Sequence, residues 1–296
     1  MYRISLVIVA FLAILFLSCE KNIHIENRPA DPVVVIEGIV EVGEYPVVIV
    51  SRGMGIFTSI RPEEVSEYFI KDAEVEVSRG NQTMRLKTFS SVTPYGLEYT
   101  WYTADTTQPG PFFKGEAGKA YQLKVVADGK EFTATTTIPE RGIDILGASA
   151  EPANLEDYPE KMRLMVTITD KPGYGNYHRY FTKVNDQPFY PGLYSSGSDQ
   201  LTDGVTVTFR LDRGVDKSSD FDPDLYAYYD KGDSVVIKFS EIDYDTYEFW
   251  RTVEFNYASI GNPFSTPIKV KGNIKGGALG YFGGYNPLYY SLRIPQ

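Results

Sequence analysis

The sequence has 296 residues, with 39 acids against 29 bases, a net charge of −10, one cysteine and two histidines. This acidic balance excludes partners that reward basic patches, nucleic acid above all. A lone cysteine excludes a disulfide scaffold and Cys-ligated zinc or iron–sulfur centres, and two histidines are too few for a His-rich catalytic zinc site.

At the N-terminus, Arg3 precedes an uncharged apolar run, Ile4 to Leu17. That run is shorter than the ~20 residues of a bilayer span and reads as a secretory leader. Phe16 and Leu17 do not suit a plain signal-peptidase site, whereas Ser18–Cys19 fits a relaxed bacterial lipobox. Residues 1–18 are then a lipoprotein signal peptide and Cys19 the lipidated new N-terminus; a plain leader with an incidental thiol is the alternative. Two or three acyl chains, at ~0.8 kcal/mol per buried methylene, anchor a protein stably. Residues 19–32 form a polar tether. This places the mature protein at an outer membrane, without fixing which leaflet holds the lipid.

From Val33 the pattern is β. "VVVIEGIVEV" and "VVIVSR" are rich in β-branched residues, and "AEVEVSRGNQTMRLKTF" alternates on both sides of an RGNQ turn. "AYQLKVVADGKEFTATTTIP" is a clear hairpin: Tyr121, Leu123 and Val125 alternate, Asp128–Gly129 supplies the turn, and Phe132, Ala134, Thr136 and Ile138 alternate back. About seven short strands by Pro139, with no long helix, predict an immunoglobulin- or prealbumin-like sandwich over residues 33–140. A boundary at Pro139–Leu146 opens a second β-rich domain, 141–296, with strands in "RLMVTITD", "YHRYFTKVN", "GVTVTFRL" and "DSVVIKFSEI". One helix is predicted at about 243–260, with Tyr247, Trp250, Val253 or Glu254, and Tyr257 at three- to four-residue spacing, and a cap from Asp243 or Asp245. The fold class is mostly β.

Several segments in order, "SCEKNI", "VVVIEGIV", "KDAEVEVSRG", "GKAYQLKVVADGKEFTATTTIP", "LTDGVTVTFRL", "KGDSVVIKFSEIDYDTYEFWRTVE" and "GNPFSTPIKVKGNIKGGALGYFGGY", resemble a lipoprotein family of Bacteroidota outer membranes catalogued as domain of unknown function 4249. The resemblance covers nearly the whole mature chain. It implies a two-part β lipoprotein whose partner is a TonB-dependent outer-membrane receptor. It implies no catalytic residues.

The residues themselves offer little chemistry. His24 falls in the tether, and His178, in "GNYHRYF", reads as a half-buried strand residue rather than a general base. Asp220, Asp222 and Asp224 alternate like the start of an EF-hand loop, but Leu225 and Lys231 occupy the positions that need Gly and Glu. A looser calcium site there and a solvated acidic loop remain the two readings; no other cofactor is expected. Tyrosine is abundant, with 23 copies, and clusters in "YPGLY" and "YFGGYNPLYY". Gly-Gly and Asn-Pro interrupt the second cluster and predict loops. Tyr190, Tyr194, Tyr281, Phe282, Tyr285 and Tyr289 are therefore the candidate partner contacts, because tyrosine gives large contact area with few rotatable bonds. The expectation is a lipid-anchored accessory or binding protein that works with a TonB-dependent receptor in nutrient uptake, without catalysis. The alternative is a surface adhesin or structural subunit that binds glycans or itself.

Overall fold

A computed structural model describes residues 33–53, 62–93, 96–260, 262 and 265–296. The leader, Cys19 and the tether lie outside the described residues. The first half supplies β1 (Val34–Glu41), β2 (Val47–Arg52), β3 (Glu74–Arg79), β4 (Gln82–Arg85), β5 (Lys87–Val92), β6 (Glu98–Thr103), β7 (Ala120–Ala127) and β8 (Lys130–Thr137). The second supplies β9 (Ile143–Pro152), β10 (Lys161–Asp170), β11 (Tyr177–Val184), β12 (Tyr190–Ser198), β13 (Thr206–Leu211), β14 (Tyr229–Asp230), β15 (Ser234–Ile242), helix α1 (Tyr244–Ala258) and β16 (Leu279–Arg293). The chain is mostly β, as the alternation predicts.

The hairpin β7–β8 forms for the reasons visible in its sequence. Tyr121, Leu123 and Val125 are buried on one face, and Asp128 and Gly129 adopt φ of 50° and 71°, the paired positive values of a type I′ turn.

One eight-stranded sheet runs β12-β11-β15-β16-β1-β2-β6-β5. Two smaller sheets pack side by side on one of its faces. The sheet β4-β3-β7-β8 closes the first core, which includes Ile36, Val48, Val77, Tyr102, Leu123 and Phe282. The sheet of β9, β10, β13 and β14 closes the second, around Leu164, Val166, Ile237 and Phe239. The boundary predicted at Pro139–Leu146 starts in the gap between β8 and β9 and overlaps the first residues of β9. Each side of it owns a core, and the large sheet draws strands from both.

The strand that joins them is β16. Its first part, Leu279 to Tyr285, pairs parallel with β1, and Tyr285 to Arg293 pairs antiparallel with β15. Tyr285 is the residue with a partner on each side, Glu41 and Ile242. The loops expected at Gly-Gly and Asn-Pro are thus absent, and the segment is one 15-residue strand. The physical reason is packing. A Cβ on Gly283 would lie 2.6 Å from Thr246 Oγ1 of α1, and one on Gly284 would lie 2.8 Å from the Thr137 carbonyl oxygen. Both glycines are sites of close approach on a strand crowded from both faces. Pro287 is tolerated because β1 pairing has ended by then, leaving an edge that needs no donor.

Helix α1 lies on the opposite face, over Tyr281 and Tyr285. Asp243 caps it, accepting from Thr246 N at 3.0 Å. Its most buried residues are Thr246, Glu248, Phe249, Thr252 and Glu254, so the inward stripe is rotated from the one expected through Tyr247 and Trp250. Small threonines face the sheet where Gly283 brings the helix close. Trp250 still reaches the sheet from the flank, donating from Nε1 to the Tyr285 hydroxyl at 3.0 Å.

Candidate functional site

The candidate contact residues separate into buried and exposed sets. Tyr281, Phe282 and Tyr285 are 1 %, 0 % and 2 % exposed, which removes them as partner contacts. Phe282 fills the first core, and Tyr281 stacks on Phe249 at 4.4 Å between ring centres. Sequence reasoning took them for loop residues because the glycines between them read as breakers. Tyr194 on β12 and Tyr289 on β16 are exposed. Tyr190 is half-buried, its hydroxyl 3.4 Å from Asp216 Oδ2.

The larger exposed aromatic feature was not singled out from sequence. Phe89 of β5 sits directly opposite Trp101 of β6, ring centres 6.2 Å apart and planes 24° apart. Tyr99 continues the row, 5.0 Å from Trp101 at 21°. The row stands on the face of the large sheet opposite the two cores. On that same face Ile39 and Val47 pair with each other, and Leu279, further along the sheet, pairs with Val35; all three of Ile39, Val47 and Leu279 are exposed. The available signal was the alternation in "EYTWYT", which puts Tyr99 and Trp101 on one face and Tyr102 on the other. Tyr102 donates to the Ile70 carbonyl at 2.6 Å inside the first core, so the other face must look outward.

The acidic loop residues Asp220, Asp222 and Asp224 are all exposed. Asp222 Oδ1 accepts from Asp224 N at 2.8 Å, closing a local turn. Their carboxylates do not gather around a common point. Among the described residues the carboxylates close enough to share one cation are those of Asp170, Asp199 and Asp203, whose oxygens lie within 4.8 Å of one another. Asp170 and Asp199 are buried. Burial first, and then the charges of Asp199 and Asp203, push the Asp170 carboxyl up, against hydrogen bonds from Gly204 and Asn176 that pull it down. Asp199 Oδ2 accepts from Gly175 N and Asn176 N at 2.8 and 3.0 Å, and Asp203 Oδ1 accepts from Gly173 N at 2.6 Å. These bonds clasp the β10–β11 loop to the β12–β13 loop. The oxygens left over are hard ligands of the kind calcium takes, but they make up less than half of the six to eight it needs. Residues 29 positions apart gave no sequence signal.

His178 stacks on Phe239, ring centres 4.5 Å apart, and its buried Nδ1 has no partner. Burial pushes its pKa down to about 4, against the pull of Asp199. It is a neutral strand residue at pH 7 with no carboxylate orienting it, far from the geometry of a general base.

Beneath α1 lies a second charged centre. The Glu254 carboxylate accepts from Ser195 N at 2.9 Å, Ser196 N at 3.2 Å, Ser196 Oγ at 3.0 Å and Ser195 Oγ. Arg179 Nε lies 3.9 Å from Glu254 Oε1 and donates to Ser195 Oγ at 3.0 Å. The Arg179 guanidinium sits 3.4 Å over the Trp250 ring. This network fixes α1 to the edge strand β12.

Two open depressions lie on the surface of the described residues. One of about 510 Å³ is lined by Arg210, Asp212, Asp224, Tyr226 and Tyr228, with Arg210 already paired to Asp212 at 2.8 Å. The other, about 420 Å³, lies between the start of α1 and Lys269–Gly272. Among the described residues no helix is long and apolar enough to cross a membrane. A family model described as a domain of unknown function, DUF4249, matches residues 20–290. No curated protein matches the chain.

Proposed function

We propose, from the premise that this chain belongs to the DUF4249 family, that it is a lipid-anchored accessory or binding protein of the outer membrane. It works with a TonB-dependent receptor in nutrient uptake and has no catalysis of its own. Cys19 and the apolar run before it support the anchor. The observation that carries the binding role is the stacked row Phe89–Trp101–Tyr99, with Phe89 and Tyr99 exposed and Trp101 half-buried between them, on the sheet face that also exposes Ile39, Val47 and Leu279. Aromatic surface of this kind is enriched where one protein meets another, and three stacked rings on one sheet face are not the singly scattered apolar side chains that need no explanation. Partner contact therefore moves from the buried tyrosines of β16 to this face, with Tyr194 and Tyr289 as further exposed candidates.

The test is a mild-detergent pull-down of the C-terminally tagged protein from its own membranes. A stoichiometric β-barrel receptor, lost on Trp101→Ala while the melting temperature holds, supports the reading. Recovery of the protein with no receptor overturns it.

A further inference from the structure

The aromatic row ends at β5, and β5 is the last strand of the eight-stranded sheet. All six of its residues are exposed. Thr93 N donates to the Leu97 carbonyl at 2.8 Å, and the register pairs Val92 with Glu98 through to Lys87 with Thr103. In an antiparallel ladder hydrogen-bonded pairs recur every second residue. Lys87, Phe89 and Ser91 therefore direct their backbone groups at β6. Thr88, Ser90 and Val92 direct theirs outward, where among the described residues they meet no backbone partner.

Two other edges, β12 and β8, are occupied. On β12, Val215 N donates to the Pro191 carbonyl at 2.9 Å, and Glu254 takes Ser195 N and Ser196 N. On β8, Thr133 and Lys275 exchange both backbone bonds, at 3.2 and 2.7 Å. By contrast β5, "KTFSSV", has no proline and no bulge, and its one charge sits at its end. These are the devices that normally keep an edge from pairing.

We infer that β5 pairs antiparallel with β5 of a second copy of this chain, about a two-fold axis through Ser90. In that register the outward groups match. Ser90 exchanges both bonds with its own equivalent, and Thr88 does so with Val92. Lys87 falls opposite Thr93 of the other copy, so no like charges meet directly. Phe89 falls opposite Ser91, which sets the two Phe89 rings diagonally across the axis. The aromatic rows of the two copies then join into one that runs Tyr99–Trp101–Phe89 and back. A two-fold contact of this kind is self-complementary and closed, and it stops at two copies. The inference stands apart from the receptor reading, since a pair of copies presents the same aromatic face twice.

Sedimentation velocity of the full-length protein in mild detergent tests it. The chain carries a charge of −10, so long-range repulsion weakens pairing at low salt and screening strengthens it. The expected result is a dimer at physiological salt. Val92→Lys, at a position already 64 % exposed, should weaken it at least tenfold with no loss of fold. Ser90→Pro, which removes an outward N–H, should do the same. Ser90→Cys should give a disulfide-linked dimer in native membranes, because hydrogen-bonded antiparallel partners sit about 5.5 Å apart at Cα. A monomer at all concentrations, a dimer unmoved by Val92→Lys, or no Ser90→Cys cross-link overturns the inference.

Discussion

The Arg179–Glu254 centre allows a prediction whose size and sign both follow from geometry. Glu254 is 2 % exposed and Arg179 4 %. Truncation by Glu254→Ala leaves a guanidinium under α1 with the Trp250 and Phe181 rings, Ser195 Oγ and the field of Glu37 for compensation, and strips the acceptor from Ser195 N and Ser196 N. Removing one member of a buried ion pair costs about 3–5 kcal/mol. For a folded unit of this size that is a fall in Tm of roughly 10 °C. The double variant Arg179→Met, Glu254→Leu removes both charges and refills the space with apolar atoms, so it should be more stable than Glu254→Ala alone. Urea denaturation of the wild type, Arg179→Met, Glu254→Leu and the double variant measures all terms of the cycle, with Glu254→Ala measured beside it. If the two single losses simply add, or if Glu254→Ala costs under about 1 kcal/mol, as an exposed pair would, the centre does not hold the helix and the reasoning is wrong.

Three further predictions follow from single residues. Hydrogen bonds from Arg251 and then Lys271 pull Glu248 down to about 2. A depressed carboxyl stabilises the fold above its unfolded pKa near 4.5 and loses that contribution as pH falls toward 2. With both cationic partners partly exposed, about 1–2 kcal/mol is expected, and Glu248→Gln should flatten the melting temperature across that window relative to wild type. His178, held neutral down to about 4, should cost stability as pH falls from 6.5 toward 4, by up to about 3 kcal/mol. His178→Phe keeps the stack on Phe239 and should abolish that slope in pH-dependent unfolding; an unchanged slope would place the titration elsewhere. Gly280 has φ of 108°, and a Cβ there would collide with the Ile36 carbonyl oxygen. Gly280→Ala should therefore cost at least about 2 kcal/mol by parting β16 from β1, with amide exchange rising first in β1.

Local structure was legible wherever one residue's neighbours in sequence decided its place. The β7–β8 hairpin, the Asp243 cap and the length of α1 could be read from alternation, a turn dipeptide and a capping side chain. β16 could not, because its glycines and proline mean something different once α1 crosses above and β8 ends below. Gly283 and Gly284 read as a break and act as clearances. The same failure hid the exposed aromatic face: tyrosine count pointed to 281–290, while exposure is decided by which sheet face another layer covers. The acidic alternation at Asp220–Asp224 was visible but empty of geometry. Asp170, Asp199 and Asp203 converge because three strand ends meet there, a fact of topology rather than of spacing.

The placement of β16 also sets an order of events in the life of the chain. β1, near the start, pairs with a strand made almost last, and Phe282 of that strand plugs the first core. Contacts between such distant residues form slowly, since the intervening chain must be closed into a loop before they reward it. Until Leu279–Tyr285 is in place, the first sandwich has a missing neighbour along β1 and an unfilled hole. A chain truncated before Leu279 should accordingly be protease-sensitive through both halves, not the second alone. The first sandwich thus cannot complete itself from its own half of the chain and waits on β16.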